Sequence, residues 1–70
     1  VRRLIRAWHD LSGTEATEIE RRILACHYRV LEPKRLREAM RMALERVRDD
    51  PEGAFRYYCG IARNWRQESQ

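Results

Sequence analysis

Apolar side chains recur along this chain at steps of three and four and never alternate, which predicts helices that each bury one face. Val1, Leu4, Ile5, Trp8 and Leu11 share a face of a first helix over residues 1–11, with Arg2, Arg6 and His9 on another. Ser12-Gly13 stops it, because glycine takes the left-handed conformation that closes a helix. A second helix is predicted from about Glu15 to Leu31, capped by Thr14, or by Thr17 with Glu20 at capping-box spacing. Ile19, Ile23, Cys26 and Val30 form its seam. Leu24, His27 and Leu31 widen that seam on one side, so this helix should touch two neighbours.

Glu32-Pro33 ends the second helix, since a residue before proline avoids the helical region, and Pro33 can open the third. That helix should run to about Arg48 with Leu36, Ala39, Met40, Ala43, Leu44 and Val47 as its stripe. Asp50 and Pro51 start the fourth: the aspartate accepts from orphan N–H groups, and proline at the first position gives up a donor with no partner. Ala54, Phe55, Tyr58, Ile61, Ala62 and Trp65 cover about 100° of its circumference. Tyr57 lies on the rim beside Asn64, and Arg56 and Arg63 lie behind. This helix should extend to about Gln67, with the last residues frayed. The expected fold is all-α, a compact bundle of four helices.

At 70 residues the chain makes one small domain, which buries only about 60% of the surface exposed when unfolded. Starting at Val1 directly in an amphipathic pattern, it reads as a domain excised from a longer protein. It has no signal-peptide pattern and no apolar run long enough to span a bilayer. Cys26 and Cys59 fall mid-helix at unrelated spacing, so unlinked thiols in a reducing cytoplasm are expected. Cys26 and His27 are adjacent and diverge by about 100° on a helix, so they do not form a metal site; a satisfied, partly buried His27 is expected. No nucleophile, base and orienter recur at catalytic spacing, and no glycine loop is built for phosphate. No enzyme, cofactor or metal is predicted.

Charge narrows the field further. The formal net charge is +4, and every basic residue except Lys34 is arginine. Arginine binds phosphate bidentately and stacks on bases, although a GC-rich genome gives the same bias. Arg37, Arg41 and Arg48 fall on one flank of the third helix as a phosphate-tracking row, or as a solvated face with Glu38–Arg41 and Arg41–Glu45 pairs. Arg63 and Arg66 flank Trp65 without an acidic residue at helical spacing before them. Arg2, Arg3 and Arg6 form a further cluster, partly offset by Asp10.

Tyr57-Tyr-Cys-Gly-Ile61-Ala-Arg-Asn-Trp65 reads as Tyr-x-x-x-Ile-x-x-x-Trp, and it resembles the signature near the end of DnaD-like replication domains. Leu36 to Leu44, the break at Asp49-Asp50-Pro51 and Phe55 to Trp65 follow the family's order of helix, break and signature helix. The resemblance covers residues 36–66, with Ala62 where the family often has Leu. It implies DNA binding with weak sequence preference, and docking to replication initiator or helicase-loading proteins of a primosome. On that reading Tyr57, Ile61 and Trp65 form the DNA-binding strip, joined by Arg63, Arg66, Arg37 and Arg41. From periodicity alone, Ile61 is a core residue first, Tyr57 at the rim is open to either role, and Trp65 has the size to pack and bind at once.

Two other readings stand beside it. One is a protein-interaction or oligomerisation bundle, supported by Tyr28 and Met42, which periodicity places off the main seams. The other is a helix-turn-helix regulator, which Pro33 disfavours by leaving no clear short turn before a recognition helix.

Overall fold

The computed structural model describes residues 1–68, and the frayed end expected at the C-terminus lies in part outside them, at Ser69 and Gln70. Four helices follow in order: α1 (Arg2–Ser12), α2 (Glu18–Val30), α3 (Pro33–Arg46) and α4 (Pro51–Glu68). No strand occurs among the described residues, so the chain is an all-α bundle. The most extensive interface joins α3 to α4; α1 lies mainly on α3, and α2 touches the other three more lightly.

Local chemistry sets each boundary. Gly13 closes α1 in the left-handed region (φ 79°) and returns its N–H to the His9 carbonyl. The cap of α2 is Thr17, not Thr14: its hydroxyl accepts from Glu20 N (3.1 Å), and Glu20 Oε1 accepts from Thr17 N (2.9 Å). This reciprocal box starts α2 at Glu18, three residues later than the apolar pattern suggests, because Thr14 is engaged with Ser12. Pro33 opens α3 as expected. That helix ends at Arg46, just short of the expected end near Arg48. Asp49 then turns through the left-handed region (φ 61°), and Asp50 Oδ1 accepts from Gly53 N at 3.0 Å.

The core runs through Leu4 and Trp8 of α1, Leu24 of α2, Leu36, Ala39, Met40 and Ala43 of α3, and Ala54, Phe55, Tyr58 and Ala62 of α4. Its centre is aromatic. Trp8 meets Phe55 edge-on, with ring centroids 5.1 Å apart and planes at 87°, and Tyr58 completes the trio at 6.3 Å from Trp8 and 5.3 Å from Phe55. Such pairs add about 0.5–1.5 kcal/mol each to their burial. Against this gain, Trp8 Nε1 is buried with no hydrogen-bond partner among the described residues.

Two expected faces are narrower than periodicity implies. At α1, the N-cap Val1 and Leu11 near the other end are exposed, because the faces of α2 and α3 cover only the middle of an eleven-residue helix. In α2 the seam is displaced. Ile19 is 69% exposed, Cys26 and Val30 are exposed, and Ile23 is only partly covered. Leu24, His27 and Leu31, expected only to widen that seam, are the residues that face the bundle. His27 can take this place because Tyr58 satisfies its ring nitrogen, so a polar residue stands on the inner face while Ile19 stands outside.

Candidate nucleic-acid interface

The strip Tyr57–Ile61–Trp65 is present on α4 and graded in exposure. Tyr57 is 43% exposed, while Ile61 and Trp65 are partly buried against the core. It runs along the border with α3. At one end the Arg35 guanidinium lies over the Trp65 ring, 4.8 Å from its centroid, well within cation–π range. At the other, Tyr57 lines a shallow cleft with Met42, Glu45 and Arg46 of α3. Each aromatic end of the strip thus has an arginine of α3 beside it. Arg35 and Arg46 stand eleven positions apart, about 16 Å along the helix.

The row on α3 is shorter than expected. Lys34, Arg37 and Arg41 line one open cleft of about 390 Å³ with Arg35 and Glu38. Arg41 donates to Glu38 Oε2 at 3.3 Å; this is the pair that forms, in place of an Arg41–Glu45 bridge. Both groups are more than half exposed, so the pair contributes little to stability. Arg48 leaves the row because the helix has already ended. It sits in a cleft with Arg41, Glu45, Asp49 and Asp50, where carboxylates outnumber guanidiniums.

Arg63 and Arg66 do not join the strip. Consecutive helical residues diverge by about 100°, so the step from Trp65 to Arg66 carries the charge about a quarter turn round α4, off the strip. There Arg66 is close enough to His27 of α2 for its charge to help hold that histidine below the ordinary range, behind the larger effect of burial. Arg63 acts on Cys59, whose thiol is pushed up by burial and by Glu20 and drawn partly back by Arg63. Trp65 is therefore bracketed, with Arg35 on the α3 side and Arg66 on the α2 side. Among the described residues no carboxylate forms an ion pair with Arg35, Arg63 or Arg66. Arg6 of the N-terminal cluster does have a partner, Asp10 at 4.0 Å.

Arg35 and Arg46 escape sequence reasoning, because their relation to Trp65 and Tyr57 crosses between helices and has no period within one. Among the described residues no three histidine, cysteine or acidic side chains gather as metal ligands, and no helix is long and apolar enough to cross a membrane. Cys26 and Cys59 are free thiols. The arrangement offers aromatic surface edged by guanidiniums, of which Arg35 and Arg66 have no ion-pair partner among the described residues, and this suits a polyanion carrying flat bases. No family model matches the chain, and no curated protein or solved structure does either.

Proposed function

We propose that this chain is a DNA-binding and partner-docking module of the DnaD-like kind, working in the cytoplasm as part of a replication initiation or helicase-loading protein. The observation that carries this reading is the Arg35 guanidinium 4.8 Å over Trp65, which sets α3 cations against the aromatic strip named by the motif. Arg37 and Arg41 extend the positive surface along α3, and Arg66 and Arg63 extend it around the end of α4. A net charge of +4 favours encounter with a polyanion at a distance. Binding of labelled single-stranded and duplex oligonucleotides at two salt concentrations tests it. Affinity that falls steeply with salt supports the reading, and no binding at low salt removes it.

A second reading is favoured by a separate observation. Ile19 and Val30 are exposed and share one azimuth of α2, eleven positions apart, an apolar edge that the bundle leaves uncovered. On this reading the module docks another protein, or another copy within the full-length protein, through α2. A helix-turn-helix reading gains nothing. The α2–α3 link is only Leu31 and Glu32, a short turn where none was expected, yet shorter than the three to four residues of that motif.

A further inference from the structure

The contact between Arg35 and Trp65 carries an inference that rests on the DNA-binding reading and goes beyond it. We propose that Trp65 acts through Arg35: the indole holds the guanidinium as a fixed fork for a phosphate, and this end of the bundle takes the phosphodiester backbone, not a base.

An arginine side chain is long and must be ordered before it can bind in a fixed geometry. The cation–π contact with Trp65 performs that ordering within the folded protein, at a ring that itself packs against the core. A guanidinium over an aromatic face keeps its N–H donors near its own plane, so its edge remains able to grip two phosphate oxygens. No carboxylate among the described residues competes for those donors by ion pairing. A base stacking on the same face of the indole would first have to displace Arg35. The neighbouring cleft reinforces the choice. Lys34, Arg37 and Arg41 line it with Arg35, and its one carboxylate, Glu38, is already engaged by Arg41. Tyr57 differs, since it is exposed and no guanidinium covers its ring among the described residues. Base stacking therefore belongs to the Tyr57 end and phosphate binding to the Trp65 end.

The test is the slope of log affinity against log salt for a labelled duplex oligonucleotide, measured for the wild type, Arg35→Ala, Trp65→Leu and the double variant. Leucine keeps apolar bulk on the core while removing the π face. Each single change should lower the slope by about 0.7–0.9, the loss of one phosphate contact, and the double variant should lower it no further. Trp65→Phe, which restores an aromatic platform, should recover most of the slope. A second readout does not depend on the Leu variant folding. With Trp8→Phe leaving Trp65 as the sole indole, its emission should change little on binding, because no base covers it. Strong quenching, or weaker binding by Trp65→Leu at an unchanged slope, would mean that a base stacks on the indole and would overturn the proposal. A wild type that binds, with a slope lowered by Arg66→Ala but not by Arg35→Ala, overturns this inference and leaves the DNA-binding reading standing. A wild type that binds no oligonucleotide overturns both.

Discussion

His27 Nδ1 and the Tyr58 hydroxyl lie 2.9 Å apart and join α2 to α4 across thirty-one positions of sequence. Tyr58 is fully buried, so its hydroxyl needs a partner inside the fold, and burial holds that hydroxyl protonated well above the ordinary tyrosine range. The imidazole supplies the partner, with its ring 5.3 Å from the phenol. Burial, and then the charge of Arg66, holds His27 below the ordinary histidine value.

That shift gives stability a pH dependence whose sign is fixed. Above the unfolded value of about 6.5, His27 is neutral in both states and its contribution is complete. As pH falls through that value, the unfolded chain takes up a proton before the folded one, so stability declines. The melting temperature should therefore drop between pH 7 and pH 5, and His27→Asn should flatten the profile. A wild-type profile already flat over this window contradicts the assignment.

The same bond is asymmetric under mutation. His27→Ala leaves a buried hydroxyl unpaired and should cost about 1–3 kcal/mol. Tyr58→Phe leaves only a half-buried ring nitrogen, which water can reach, and should cost less. Urea melts of the two variants decide the order.

Trp8→Ala should cost about 3–5 kcal/mol, because it removes the largest ring of the aromatic trio and leaves a cavity among Leu4, Phe55 and Tyr58. In a domain this small that approaches the whole stability. Trp8→Phe should be milder, since it keeps a ring and deletes an indole N–H that has no described partner. An unchanged melting temperature for Trp8→Ala would show that α1 does not pack on α3 and α4 in this way.

The two cysteines should differ in reactivity. Cys26 is exposed on α2, whereas burial and Glu20 keep the Cys59 thiol protonated to higher pH. Alkylation without reductant should label Cys26 first and Cys59 slowly. A mass two hydrogens short with no label taken up would indicate a disulfide instead.

Periodicity was enough to read α3 and α4, because each buries a broad face against the other and the apolar stripe reports it directly. It misled at α2, whose Ile19–Ile23–Cys26–Val30 spacing resembles a packing seam while His27 occupies the inner face. A histidine counts as polar until Tyr58 is known to satisfy it, and that fact lives at a separation no local pattern reaches. The site divides in the same manner. Tyr57, Ile61 and Trp65 were legible from spacing within one helix, but Arg35 was not, since only the packing of α3 on α4 places it over the indole. Arg63 and Arg66 look adjacent to Trp65 in the sequence but are carried off the strip by helical geometry, where their charges act on Cys59 and His27.

The central claim is that α4 and its border with α3 bind DNA, and the salt dependence of oligonucleotide affinity tests it most directly in Tyr57→Ala, Arg63→Ala and Arg66→Ala. Each arginine variant should weaken binding to all sequences alike and lower the salt slope by about 0.7–0.9. Tyr57→Ala should weaken binding by about 1–3 kcal/mol at every salt concentration without changing the slope, and its exposed position should leave the fold intact. If all three variants keep native circular dichroism and wild-type affinity, α4 is a packing element only, and protein docking becomes the better account of this module.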